Sequence, residues 1–211
     1  MAKKDYIQKL IVTGKGELTG FISICKPSQN YRKYQAQILL SKEEGEALVK
    51  TLEELQAAQF VKEGRKGKLA PLPCQPYAVQ DKDTGKEIPD KEGRYILKTS
   101  LDESTSTGKL NPKPVVINAH KQPVTGNLNI AEGTIARLQV LFKGYKAPIG
   151  IGVSAKLKGV QIINLVEYQN NNFSIDMFDE EEGFDGVGEE FTEEVTTTEV
   201  EEANEEEQLD F

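Results

Sequence analysis

From Gln169 to Phe211 the chain contains no lysine, arginine or histidine, and this one-signed stretch limits how much of the sequence can build a core. Seventeen acids fall there, half of the 34 in the chain, while all 26 basic residues lie in residues 1–168 beside the other 17 acids. The chain as a whole carries −8, but residues 1–168 carry +9 and residues 169–211 carry −17. Like charges at that density repel one another and bury little apolar surface, so residues 169–211 are expected to form a disordered acidic tail. Phe173, Met177, Phe178, Phe184 and Phe191 punctuate it, and it closes on Leu209-Asp210-Phe211. A tail that only solubilises has no use for those rings. A tail that docks does.

Residues 1–168 are enough for one domain with its own core. Charged residues at 28% and hydrophobic ones at 37% fit a soluble protein, and no apolar run approaches the ~20 residues of a membrane span. The start, Met-Ala-Lys-Lys-Asp-Tyr, lacks the apolar stretch of a secretory signal. Cys25 and Cys74 stand in no CxxC arrangement and read as two reduced thiols. His120 is the single histidine, in the loop sequence Asn-Ala-His-Lys-Gln-Pro. One histidine and two distant cysteines leave a structural zinc short of ligands, and no cofactor is expected.

The body reads as strands around one helix. Leu18 to Cys25 is β-branched, aromatic and uncharged, and Lys26 to Asn30 is a turn. Tyr31 to Leu40 alternates, with Tyr34, Ala36, Ile38 and Leu40 against Lys33, Gln35 and Gln37, the period of a half-buried strand. Ser41 then caps a helix to about Phe60, with Glu43 and Glu44 in its first turn and Leu48, Val49, Leu52 and Leu55 as its apolar stripe. A basic, glycine-containing loop spans Lys62 to Lys68. Short strands are expected over 77–80, 95–101 and 115–118, and longer ones over 134–142 and 149–168, the last interrupted at Gly159. Gly150 and Gly152 mark a bulge or bend. Five to seven strands, one helix and no βαβ rhythm indicate a mainly β fold. A small OB-type Greek-key barrel with one inserted helix fits the size, although the pattern alone also fits a sandwich.

Motifs for enzymatic chemistry are missing from the sequence: it has no GxxxxGK[ST], no GxGxxG after a strand and no GxSxG. The body's acids lie mostly in turns beside lysines, as in Asp81-Lys82-Asp83. Binding is the better signal. The outward positions of the expected strands carry Lys33, Arg94, Lys98, Arg137, Lys143, Lys156 and Lys158. Tyrosines interleave with cations in Tyr31-Arg32-Lys33-Tyr34, Arg94-Tyr95 and Tyr145-Lys146. Cations that track phosphates among rings that stack on unpaired bases suit a single strand of nucleic acid. Lysines outward and tyrosines half-buried also occur on any β-protein. The charge partition tips the balance, because a +9 body joined to a −17 tail exceeds what solubility requires.

Several stretches together carry a resemblance. They are the start Met-Ala-Lys-Lys, the strand ending Ile-Cys-Lys-Pro before an alternating strand and a helix, and the Tyr145-Lys146 turn. The run Gly-Val-Ser-Ala-Lys-Leu into Ile162-Ile163-Asn164-Leu165-Val166-Glu167 and the acidic tail ending Asp210-Phe211 complete it. In this order they resemble the single-stranded DNA-binding proteins of short-tailed, T-seven-like bacteriophages. The resemblance implies an OB-fold domain over residues 1–168, a homodimer, and work in phage DNA replication, recombination, repair and strand annealing in the cytoplasm of an infected bacterium. It implies that the tail, with Glu205, Glu206, Glu207, Asp210 and Phe211, competes with DNA and binds the replicative polymerase and primase-helicase. It places Tyr145 and Lys146 where the family has a Tyr-Lys contact with DNA. The family's turn continues with tryptophan, which here is Ala147, and this chain has no tryptophan at all. Two other classes remain in view. One is an acidic-tailed chaperone or nucleic-acid mimic whose body never touches DNA, and the other is a metal-dependent nuclease. Cations clustered on one face would favour DNA binding, scattered cations the chaperone, and three acids converging on a pocket the nuclease.

Overall fold

A computed structural model describes residues 7–81, 84–126 and 128–168. The chain divides into two units, Met1–Asn170 and Asn171–Phe211, and the architecture below is that of the first. The expected disorder of the tail, and the tail positions Glu205, Glu206, Glu207, Asp210 and Phe211, lie outside the described residues.

Ten strands and one helix run in the order β1 (Gln8–Val12), β2 (Gly16–Ser23), β3 (Lys33–Leu40), α1 (Lys42–Lys62), β4 (Cys74–Pro76), β5 (Ala78–Gln80), β6 (Glu87–Pro89), β7 (Tyr95–Asp102), β8 (Val115–Ile117), β9 (Ile135–Ala147) and β10 (Gly150–Asn164). Five of them close on themselves. β2 pairs with β3, β3 with β7, β7 with β10, β10 with β9, and β9 returns to β2. Every pairing in that ring is antiparallel except β7 with β10. Numbered along the chain, the ring strands lie in the order 1-2-3-5-4-1, the topology of the OB barrel. Two seams are short. β9 meets β2 at Gly16↔Ala136 and Glu17↔Ile135, and β10 meets β7 at Lys156↔Ser100.

Alternation does the sorting. In β3, Tyr34, Ala36, Ile38 and Leu40 are buried, and in β7 Leu97, Thr99 and Leu101 are. β9 contributes Ala136, Leu138, Val140 and Phe142, all at 0% exposure, and β10 adds Val153, Ala155, Leu157, Val160 and Ile162. Each second residue between them faces out, as a pleat requires. The bulge expected at Gly150 and Gly152 is not there, since both pair in regular register with β9; the ladder shifts instead at Gly159, where the sequence pattern is interrupted. Leu157 pairs with Val140 and Gly159 with Gln139, so Lys158 is the extra residue.

The helix begins as its sequence dictates, the Ser41 hydroxyl accepting from the Glu44 amide at 3.3 Å. Its buried face is narrower and more polar than the expected leucine stripe. Leu48 and Leu52 are buried with Gly45, Gln56 and Gln59, whereas Leu55 and Val49 are only half-buried. Gln56 explains why a polar residue belongs there: its side-chain amide donates to the carbonyls of Ala70 (2.7 Å) and Ile151 (3.1 Å). It pairs the Ala70 carbonyl and gives the Ile151 carbonyl, which also accepts from the Ala70 amide, a second donor. Both cysteines are free thiols, and burial pushes the Cys74 thiol up to about 12. No described helix is long and apolar enough to cross a membrane.

The ten strands exceed the five to seven expected. β1 escaped notice because Gln8, Lys9, Leu10 and Val12 are all exposed, leaving no alternation to read. The expected strand at 77–80 is present as β5, Ala78–Gln80, and β4, Cys74–Pro76, precedes it as a strand that was not expected.

Candidate nucleic-acid interface

After the helix, the chain joins β10 and then leaves it. The Ile151 amide donates to the Lys68 carbonyl (2.8 Å), and the Ala70 amide donates to the Ile151 carbonyl (2.9 Å). The chain then crosses to β7, where β4 pairs Cys74 with Leu97 and the Lys98 amide donates to the Pro73 carbonyl (3.0 Å). Between that crossing and the single contact Lys156↔Ser100, β7 and β10 stand apart. The opening is a groove of about 310 Å³, walled by Pro71 and Pro73 on one side and by Lys98, Ser100 and Asp102 on another. Tyr145, Ser154 and Lys156 form its third side, with Val153, Ala155 and Leu101 also lining it.

Tyr145 owes its place to a missing side chain. It pairs with Gly152 across β9 and β10, and its ring lies over that glycine. A Cβ on residue 152 would sit 2.6 Å from the Tyr145 hydroxyl oxygen and 2.7 Å from Cζ. The far end of the phenol therefore rests on β10 backbone at Gly152, and the side chain is half-buried. Next along the same outward row, Lys143 pairs with Ser154, whose hydroxyl donates to the Lys143 carbonyl at 3.1 Å. Leu141 then pairs with Lys156. Lys98 is exposed on β7, and no described carboxylate pairs with Lys98 or Lys156. At the far rim Lys33 bridges to Asp102 at 3.3 Å, with exposed Arg32 beside it, held at φ 49 and accepting from the Glu103 amide through its carbonyl.

The structure thus brings Lys98, Lys143, Tyr145 and Lys156 onto one contiguous face, with Arg32 and Lys33 at its edge. Four other expected residues lie elsewhere. Arg94 is enclosed by carboxylates: both oxygens of Asp90 at 3.0 Å, Glu92 at 3.3 Å and Glu17 at 4.0 Å, with the Tyr77 ring 5.8 Å below. The Arg94 hydrogen bonds hold the Asp90 carboxyl below its ordinary value, and Asp90 raises Arg94 in return. That arginine is a strut. Lys146 follows Tyr145 in the strand and so points to the opposite face, where it pairs with Glu63 at 3.2 Å. Arg137 lies six residues before Lys143 on β9, about 20 Å away. It lines a second groove of about 320 Å³ with Val12, Val115, Ile117, Lys121 and Gly159. Lys158 is the residue added by the bulge, between the two grooves.

The tyrosines separate just as clearly. Tyr34 is 2% exposed in the core and Tyr95 packs on Gly45 of the helix, while Tyr31 is 68% exposed. Sequence reading missed Pro71, Pro73, Ser154 and the platform role of Gly152, and it left the basic loop before Pro71 without a role. The signal for that loop was present as Arg65, Lys66 and Lys68 among glycines, but nothing local tied it to β10. His120 sits in a loop, its amide donating to Asn118 Oδ1 at 2.9 Å. Among the described residues no three of His, Cys, Asp or Glu gather as a metal site, so a nuclease reading gains no support there.

No family profile matches the sequence, and no curated protein matches it in sequence. Solved structures do match the fold. The crystal structure of gp2.5, a single-stranded DNA-binding protein encoded by bacteriophage T7, superposes with a TM-score of 0.57 over 85% of this chain and 100% of its own, at 16% identity. A C-terminally truncated single-stranded DNA-binding protein from bacteriophage Enc34 gives 0.55 over 79% of this chain and 95% of its own, at 20% identity. The same Enc34 protein in complex with single-stranded DNA gives 0.55, with the same coverage, at 18% identity. The chain shares the fold of these phage single-stranded DNA-binding proteins, as the resemblance in its sequence implies.

Proposed function

We propose that the protein binds single-stranded DNA without catalysing a reaction on it, using the groove between β7, β10 and the Pro71–Pro73 segment. The observation that carries this reading is the Tyr145 ring laid on Gly152, with Lys98 and Lys156 beside it and no described carboxylate paired with either. A half-buried ring at the groove wall can stack on a base, worth about 1–3 kcal/mol, and the flanking ammonium groups follow the phosphates. The location fits the fold. OB barrels bind oligonucleotides on the face of their second and third strands and through the loops joining strands 1–2 and 4–5. Here those are β3 and β7, the loop holding Arg32, and the β9–β10 hairpin holding Tyr145. The similar Enc34 protein, in complex with single-stranded DNA, supports the choice of ligand. A duplex has its bases stacked on one another and offers no free face to Tyr145.

Within this reading the protein acts in phage DNA replication, recombination, repair and annealing inside the bacterial host, and it works as a homodimer. The acidic tail regulates it. Seventeen acids tethered to a +9 body are held at an effective concentration of about millimolar, so they compete with DNA for the cations and are released when DNA arrives. Once released, Glu205, Glu206, Glu207, Asp210 and Phe211 recruit the polymerase and primase-helicase. The cations gathered at the groove weigh against the acidic-tailed chaperone or mimic, whose body would have no need of them.

Fluorescence-polarisation titration of single- and double-stranded oligonucleotides at two salt concentrations tests the binding itself. Single strands should be preferred, with a slope of log affinity against log salt of roughly −3.5 for about five neutralised phosphates. Equal affinity for duplex, or a flat salt response, would refute the proposal.

A further inference from the structure

The basic loop that follows the helix has no role in the site described so far, yet the fold places it at one end of that site. Its backbone is bonded to β10 at Ile151, one residue before Gly152, the platform under Tyr145. The attachment is rigid. Gln56, buried at 6% exposure, ties Ala70 to Ile151 from below. Gly150 takes φ 138, and a Cβ there would lie 2.7 Å from the Lys68 carbonyl oxygen, so only glycine lets the loop come this close.

Arg65, Lys66 and Lys68 are all exposed, and none has a carboxylate partner among the described residues. Glu63, two residues before Arg65, is engaged by Lys146. Arg65 is held at φ 56, with its amide donating to the Phe60 carbonyl at 2.9 Å, so the turn presenting these cations is fixed by backbone bonds. Pro71 and Pro73 then carry the same segment on as the groove's wall. Loop, wall and platform are one continuous surface along β10.

We infer that the loop carrying Arg65, Lys66 and Lys68 is a second phosphate-binding site, which takes the sugar–phosphate backbone of a single strand where it leaves the Tyr145 groove past the start of β10. The inference rests on the proposed binding of single-stranded DNA. It adds a direction to that reading: the strand lies along β10, with Lys156 and Lys98 at one end and the loop at the other. A strand long enough to pass the hairpin tip gains the loop's contacts, and a shorter one does not.

The test uses the full chain with Arg65→Gln, Lys66→Gln and Lys68→Gln combined, titrated with labelled oligothymidylates of about 4 and about 12 nucleotides, the lower range of site sizes for an OB fold. With the longer strand the salt slope should become shallower by about 2, from ~0.7 per lost phosphate contact. The shorter strand should keep its affinity and slope. The charge-preserving variant Arg65→Lys, Lys66→Arg, Lys68→Arg should behave as wild type, and thermal melting confirms that each variant is folded. Wild-type binding with an unchanged slope in the neutralised variant would overturn the inference and leave the groove standing. Equal losses on both lengths would also overturn it, because the loop would then act on the groove itself. If wild type binds neither oligonucleotide, the functional reading fails and the inference with it.

Discussion

The two grooves on either side of the β10 bulge have nearly the same volume, about 310 and 320 Å³, and different linings. The first is a gap between strands, opened because the chain from Lys68 to Pro73 leaves β10 for β7. Its rim is Lys98, Ser100, Ser154 and Lys156, with an aromatic ring laid on glycine. The second lies on an unbroken part of the sheet, where β8 continues beside β10, and Val12, Val115, Ile117 and Val160 line it beneath Arg137 and Lys121. Val12 and Val115 there are 55% and 60% exposed, as is Leu10 on the same edge strand at 56%. Both grooves present cations. Only the first pairs them with a stacking surface, so a positive charge on a sheet face says little until its neighbours are known.

The largest expected difference between the grooves comes from the ring. Tyr145→Ala should weaken single-strand binding by about 1–3 kcal/mol, close to five- to 150-fold, while circular dichroism and melting stay as in wild type. Unchanged affinity in a folded Tyr145→Ala protein would equalise the two grooves and remove the basis for preferring the first.

Charge should separate them next. The double variant Lys98→Gln, Lys156→Gln should make the salt slope on single strands shallower by about 1.4, at ~0.7 per contact, whereas Lys121→Gln with Arg137→Gln should leave it as it was. Equal changes in the two pairs would mean that the strand follows charge around the barrel regardless of the ring.

A smaller effect should follow from the platform alone. Gly152→Ala keeps every cation and keeps Tyr145, but its methyl would meet the end of the ring at under 3 Å, so the ring must shift. Displacing the ring should weaken binding by less than the about 1–3 kcal/mol of removing it. A variant that binds as well as wild type would show that the ring need not lie on β10.

This contrast also marks how far the sequence could be read. Alternation in 33–40 and 134–142 gave the core faces of β3 and β9, because one side of each strand is buried throughout. Ser41 and the two glutamates after it gave the start of the helix. Lys98, Lys143 and Lys156 were legible as outward residues and Tyr145 as part of a Tyr-Lys turn, and the structure sets them together. Arg94 was legible as an outward cation and Lys146 as the partner of Tyr145 in the turn, yet Asp90 and Glu63 occupy them. Those carboxylates are set by turn geometry and by the end of the helix, which strand periodicity does not encode. Tyr34 and Tyr145 each stand beside a lysine in the sequence, but a single step in the pleat puts one in the core and the other over a glycine. The groove was invisible because it is an absence of pairing between β7 and β10, and its wall comes from residues 80 positions away.

The smallest expected effect concerns Arg94, the cation that the structure assigns to the fold rather than to the ligand. Because Asp90 is held below its ordinary value, its contribution to stability is present above the usual carboxylate range and is lost as pH falls through the lowered value. The stability gap between wild type and Asp90→Asn, read from urea midpoints, should therefore be open at neutral pH and close in acid. DNA affinity at neutral pH should be unchanged. A drop in affinity in Asp90→Asn would return Arg94 to the binding surface.

The most direct test of the central claim, that the strand lies over Tyr145, is photo-crosslinking of the full chain to a single-stranded DNA oligonucleotide of iododeoxyuridines, followed by peptide mapping. The adduct should fall on Tyr145 in the β9–β10 hairpin. Adducts confined to the peptides bearing Val115, Lys121 or Arg137, with the Tyr145 peptide recovered unmodified, would place the strand in the other groove and contradict the account.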